Sequence, residues 1–143
     1  MPETGKGACL CGAVKFRTYG KLRDVVACHC TQCRVQSGHY WAATAIAEDE
    51  LQLEGSENLT WFVSTPGFKR GFCKTCGSAM LWKCETSEEI SIAAGAFEKP
   101  TGLKLTHHIY CADKGDYYEI GEPLRQFDQD SGHVVQNRRI ACS

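Results

Sequence analysis

The chain has no apolar run near the roughly 18 residues that a membrane-spanning helix needs. Its first 30 residues hold no apolar stretch between a basic start and a small-residue cleavage site. A soluble cytoplasmic protein is expected. A surplus of either charge is also missing: 16 basic and 17 acidic side chains leave a formal net charge of -1. That excludes a global basic field for nucleic acid or an anionic membrane surface, so recognition through charge must be local. No solenoid-length repeat and no interdomain linker interrupts the 143 residues. This length suits one domain with a modest core, expected over residues 1–127, and not two.

What is present is a series of short alternating runs separated by turn residues. Val14 and Phe16 alternate with Lys15 and Arg17, the pattern of a strand with one buried face. An apolar run, Asp24-Val25-Val26-Ala27, leads into Cys28 and places that cysteine at a strand end. Polar, helix-tolerant residues from Thr31 to Ser37, closed by Gly38, predict one or two helical turns that present Arg34 beside a metal. Further strands are expected at 40–47, 51–54, 59–64, 68–73, 78–84, 89–94, 107–111 and 117–120, with turns at Gly55-Ser56 and Pro66-Gly67. The spacing argues for a mainly antiparallel, mainly β domain with few helical turns. Residues 1–7 read as a loose leader and 128–143 as a polar, mobile tail. Trp41, Trp61, Phe62, Phe72 and Trp82 are the aromatic core candidates.

Against this ordinary background stand 10 cysteines. In a reducing compartment they are poorly explained as disulfides, and the Cys-x-Cys and Cys-x-x-Cys spacings point to metal ligation. Seven of them form a pair, a triplet and a pair: Cys9/Cys11, Cys28/Cys30/Cys33 and Cys73/Cys76. A zinc ion held by four thiolates needs two chain segments that each supply a compact pair. Cys9, Cys11, Cys73 and Cys76 meet that requirement, and Gly12 and Gly77 permit the positive φ that follows the second ligand of each pair. Such a zinc would close a long loop and stabilise the fold.

The triplet supplies three sulfurs and leaves one position open, the mark of a catalytic zinc. Three thiolates make the ion a weaker activator of water but a good holder of an incoming soft thiolate, which points to thiol chemistry. Spacing alone leaves two alternatives standing. A fourth ligand from His29, His39, Cys84, His107, His108 or Cys111 would close the site, or the triplet would share ligands with one of the pairs. His29, between two ligands, suits a supporting hydrogen bond better than ligation. Cys84, Cys111 and Cys142 lack partner spacing and are expected as reduced thiols.

Taken together, Cys9-Leu10-Cys11-Gly12-Ala13-Val14, Cys28-His29-Cys30-Thr31-Gln32-Cys33-Arg34, Ser37-Gly38 and Cys73-Lys74-Thr75-Cys76-Gly77 carry a specific signature. The chain resembles the glutathione-dependent formaldehyde-activating family, which also includes centromere protein V, from about Gly7 to Phe127. Gly95-Ala96-Phe97-Glu98-Lys99-Pro100 and His108-Ile109-Tyr110 add weaker support. The resemblance implies a zinc-binding β-tent fold with a structural zinc on Cys9, Cys11, Cys73 and Cys76 and a catalytic zinc on Cys28, Cys30 and Cys33. It also implies a carbon-sulfur lyase that combines glutathione and formaldehyde reversibly to S-hydroxymethylglutathione. The sequence departs from the family at Phe97, where an aliphatic residue is usual, and at Tyr117-Tyr118, where many members have tryptophan. His39-Tyr40-Trp41 is bulkier than expected after the triplet.

Glutathione carries two carboxylates, so cations are expected around the metal. Arg34, Lys69 and Arg70 are the candidates by proximity to the motifs, Arg34 foremost. Small thiol and carbonyl substrates are the expected partners, with a homodimer as the default assembly. The competing classes are a non-enzymatic zinc-stabilised binding module and a thiol or metal sensor that uses the triplet.

Overall fold

A computed structural model describes residues 2–121 and 123–130 of the protein. The strands are β1 (Gly5–Ala8), β2 (Lys15–Thr18), β3 (Val25–Cys28), β4 (Trp41–Ala47), β5 (Leu51–Glu54) and β6 (Leu59–Thr65). They continue as β7 (Phe68–Cys73), β8 (Ala79–Cys84), β9 (Glu89–Ala93), β10 (Leu105–Ile109) and β11 (Arg125–Gln126), and the helix α1 spans Thr31–Ser37. A three-stranded sheet runs β1-β2-β5, and an eight-stranded sheet runs β11-β10-β3-β4-β9-β8-β7-β6. Pairing is antiparallel except at β10, which lies parallel to both β3 and β11. The mainly β expectation therefore holds, with two parallel pairs that local patterning does not reveal.

Burial follows position in the sheets. On β2, Phe16 and Thr18 are buried while Lys15 and Arg17 face solvent, as alternation on a one-sided sheet requires. β3 lies inside the large sheet and is buried at every position. Two clusters fill the interior. One packs Trp41, Phe68, Trp82, Cys84 and Tyr110 around Cys28, Cys30 and Cys33. The other packs Phe16, Ile46, Met80, Ile92 and Phe97 around Cys9 and Cys73.

Three expectations need correction. The leader is not loose, because residues 5–8 form β1 and pair with β2 from Gly5 opposite Thr18 to Ala8 opposite Lys15. Its glycines weaken the strand signal but permit a close approach: a Cβ on Gly7 would lie 2.0 Å from the Ala96 carbonyl oxygen. Residues 117–120 are not a strand; the segment is held instead by the Lys114 ammonium, which donates to the Tyr118 carbonyl at 2.7 Å. Phe62 is not core but 61 % exposed, while Trp41 and Trp82 are buried as expected. Within the expected tail, Gln129 and Asp128 accept backbone hydrogen bonds from Tyr110 and Ala112. The rest of that tail, from 131 onward, falls outside the described residues, as does Cys142.

Candidate metal centres

The turn between β1 and β2 carries Cys9 and Cys11, and the end of β7 with its following turn carries Cys73 and Cys76. Each turn closes on a glycine with positive φ, Gly12 at 82° and Gly77 at 79°. A Cβ at either glycine would meet nothing within 4 Å, so the requirement is conformational and not one of space. The four sulfurs lie within 4.8 Å of one another, with Cys9 to Cys11 at 3.7 Å and Cys11 to Cys73 at 3.8 Å. A tetrahedral ion with bonds of about 2.3 Å would separate its sulfurs by about 3.8 Å. The donor set thus fits zinc in both chemistry and spacing, and none of these cysteines is in a disulfide.

Backbone N–H groups already point at these sulfurs. Val14 donates to Cys9 at 3.3 Å, and Thr75 and Cys76 donate to Cys73 at 3.4 and 3.5 Å. The Ser78 hydroxyl sits 3.1 Å from the Cys76 sulfur. That hydroxyl, with the backbone N–H groups of Ser78 and Cys11, holds the Cys76 thiol down to about 5. Cys73 is also lowered, chiefly by the Cys76 backbone N–H. Cys11 moves the other way: the Ala13 backbone N–H pulls it down, but desolvation and hydrogen bonds shared with Cys9, Cys73 and Cys76 push it up to about 11. Four crowded sulfurs do not all carry charge unaided, and a divalent cation would let them.

The second cluster is built from a strand end and a helix start. Cys28 closes β3, Cys30 caps α1, and Cys33 lies in the first turn of α1. The Cys30 sulfur accepts the Cys33 N–H at 3.3 Å, so the ligand also serves as the helix cap. Gly38, with φ of 90°, ends the helix and donates its N–H to the Arg34 carbonyl, a left-handed stop that glycine favours. The three sulfurs also lie within 4.8 Å of one another, all three residues buried. Among the described residues, no other histidine, cysteine or carboxylate joins either group.

Of the six residues considered as a fourth ligand, Cys111 joins neither group, and the other five are engaged elsewhere. His29 places Nδ1 against the Tyr118 hydroxyl and Nε2 at 2.8 Å from Nδ1 of His108, so both ring nitrogens are in use. His107 Nδ1 meets the Thr106 hydroxyl at 3.0 Å, and Cys84 lies 3.4 Å from the Thr86 hydroxyl. His39 Nδ1 meets the Tyr117 hydroxyl at 2.8 Å. Two bulky segments of the sequence therefore touch each other: His39 packs with Tyr117 and Tyr118, while Tyr40 packs against His39 and His29. Sequence reading marked each segment, but only the fold brings them together. Tyr110 is buried beside the triplet in a left-handed conformation, φ 54°. An isolated tyrosine carries no sequence signal for that.

The three candidate cations part company. Arg34 stays near the triplet on α1, its Nε buried without a hydrogen-bond partner among the described residues. Its charge is also one of the groups felt by the Tyr118 hydroxyl, which burial pushes up. Arg70 reaches α1 and contacts Cys33. Lys69 does not come to the site, because successive side chains on β7 point to opposite faces. Its ammonium lies over the Trp61 ring, 4.3 Å from the centroid. A surface cavity of about 650 Å³ is lined by Cys9 of the four-cysteine group and by Trp41 and Ala93, which share a core cluster with the triplet, but by none of the triplet cysteines themselves.

A mainly antiparallel β scaffold with one four-cysteine and one three-cysteine cluster defines a class, the mainly β proteins whose cysteines are arranged to hold metal ions. Within that class, the chain belongs to the family described as glutathione-dependent formaldehyde-activating enzyme, whose model matches residues 4–113. It is 25 % identical over 131 residues to an uncharacterized lyase of Schizosaccharomyces pombe, covering 91 % of this chain and 94 % of that protein. Among solved structures, it is similar to a Rhodobacter sphaeroides protein, with a TM-score of 0.57 and 27 % identity over 71 % of this chain and 99 % of that one. Among the described residues, no helix is long and apolar enough to cross a membrane.

Proposed function

We propose that the protein is a zinc-dependent enzyme of the carbon-sulfur lyase type. Its reaction is the reversible addition of a thiol, glutathione or a similar one, to formaldehyde or another small carbonyl compound. The observation that carries this reading is the asymmetry of the clusters: four sulfurs in one, three in the other, and no further donor joining the three among the described residues. The family description and the lyase name of the yeast relative support it. Zinc bound by Cys28, Cys30 and Cys33 would supply Lewis-acid ionisation of a thiol near neutral pH.

The chain's own residues set the conditions. β3 and α1 hold the three cysteines in buried positions where water competes poorly. His29, tied at both ring nitrogens, fixes the backbone between Cys28 and Cys30. In the forward direction the thiol gives up its proton, its sulfur bonds to the carbonyl carbon, and the carbonyl oxygen becomes a hydroxyl. The reverse breaks that carbon-sulfur bond. Cys9, Cys11, Cys73 and Cys76 act in stability and not in the reaction. The 650 Å³ cavity lined by Trp41 and Ala93, which pack in the same cluster as the triplet, has room for a small organic substrate near the site, though the three cysteines do not line it.

The test is the rate of thiohemiacetal formation with zinc-loaded protein, for several thiols and small aldehydes. A rate that rises in proportion to protein and collapses in Cys28→Ser and Cys33→Ser supports the reading. A rate equal to the uncatalysed one at every protein concentration and with every pair overturns it.

A further inference from the structure

Arg70 is only 2 % exposed, and a guanidinium stays charged at any pH at which the protein is folded. Both terminal nitrogens, Nη1 and Nη2, lie 3.6 Å from the Cys33 sulfur. Nη1 also donates to the Gln36 carboxamide oxygen at 3.3 Å, and Nη2 to that of Gln32 at 3.4 Å. Gln32 and Gln36 are one turn apart on α1 with Cys33 between them, so the helix offers a notch that fits a planar fork. A lysine ammonium would satisfy one arm of this arrangement and not both.

A buried cation needs an anionic partner, since leaving water unpaired is costly. With both terminal nitrogens directed at it, the Cys33 sulfur is placed to serve as such a partner. Three thiolates on a divalent ion leave one net negative charge, and an incoming thiolate makes it two, in surroundings where charge is poorly screened. Donors directed at a ligand sulfur from outside the coordination shell offset that build-up and tune what the metal holds.

We propose that Arg70 is the countercharge of the three-cysteine site: its fork stabilises the anionic Cys33 sulfur, so that the site retains its metal while a further thiolate joins it. Arg70 is on this account a positioning residue that acts through Cys33, and not a partner for a substrate carboxylate. The inference rests on the reading of the triplet as a thiol-binding zinc site.

The test compares wild-type, Arg70→Met and Arg70→Lys full-length proteins by competition with a chromophoric zinc chelator and by the absorption of the cobalt-substituted forms. Two zincs are expected in the wild type. Arg70→Met should weaken the three-cysteine zinc by about 10- to 100-fold and leave the four-cysteine zinc unchanged, as losses of outer-shell partners do. It should also move the sulfur-to-cobalt band to lower energy, because the sulfur has lost its donors. Arg70→Lys should recover part of the affinity but not the band position. Should Arg70→Met fail to fold, Gln32→Leu/Gln36→Leu leaves the charge in place and frees the fork, with a smaller change in the same direction. Wild-type affinity and band position in whichever of these variants folds overturns the proposal. A wild-type protein that binds a single zinc overturns the zinc-site reading itself.

Discussion

Replacing both amino-terminal cysteines, Cys9→Ser/Cys11→Ser, would cut the cross-link that the four-cysteine cluster makes between the β1-β2 turn and the β7-β8 turn. Cys11 and Cys73 are 62 positions apart in sequence with their sulfurs 3.8 Å apart. Treated as a chain-entropy constraint, a cross-link over 62 residues is worth about 4 kcal/mol. The substitutions themselves disturb little else: Cys11 is exposed, and a serine at position 9 can still accept the Val14 N–H that the Cys9 sulfur accepts at 3.3 Å. Urea unfolding followed by tryptophan fluorescence, in zinc-replete buffer and in excess chelator, separates the metal's contribution from that of the side chains. The variant should lose about 4 kcal/mol with zinc present. In chelator the wild type should fall to the variant's level, leaving a gap under about 1 kcal/mol. Coincident unfolding curves in zinc, or a gap that persists undiminished in chelator, would refute the reasoning.

Three further outcomes follow from the same geometry. Gly7→Ala should destabilise the protein by about 2 kcal/mol or more in the same urea assay, since its Cβ would strike the Ala96 carbonyl; an unchanged midpoint would contradict the packing of β1. With Cys76 at about 5 and Cys11 at about 11, Cys76 is the thiolate of these two at pH 7, so mass spectrometry of briefly alkylated, chelator-treated protein that remains folded should find Cys76 modified before Cys11. That preference should fade as the pH falls through about 5 and Cys76 takes up its proton; equal labelling at pH 7 would contradict the assignment. Calorimetry of thiol binding should show Arg34→Ala weakened by about 1 kcal/mol or more with zinc content intact, and Lys69→Ala unchanged, because β7 turns Lys69 towards Trp61. The reverse order would displace Arg34 from the site.

Much of this architecture was legible because it is written in local spacing. Thr31 to Ser37 closed by Gly38 reads as a short helix, and α1 has those bounds. The apolar run before Cys28 reads as a strand ending at a ligand, and β3 does end there. The grouping of Cys9 and Cys11 with Cys73 and Cys76, and of Cys28, Cys30 and Cys33 by themselves, matches how the sulfurs assemble. Other features depended on partners distant in sequence. β1 was unreadable because Gly5 and Gly7 carry no alternation, and only Phe16, Phe97 and Ala96 explain them. Tyr117 and Tyr118 look like strand residues until their hydroxyls are seen to reach His39 and His29. Lys69 and Arg70 are neighbours in sequence, and the pleat of β7 alone separates their roles. Phe62 is aromatic and flanked by apolar residues, yet its face of β6 is open to solvent.

The central claim is an open thiol-binding metal site beside a closed structural one, and zinc content combined with X-ray absorption at the zinc edge, with and without excess glutathione, tests it most directly. Four sulfurs in one cluster and three in the other average three and a half per zinc. The account predicts two zincs per chain and a mean sulfur shell that rises to four when the thiol is added. One zinc per chain, or two zincs whose shells do not change on addition of glutathione or any other thiol, would contradict it.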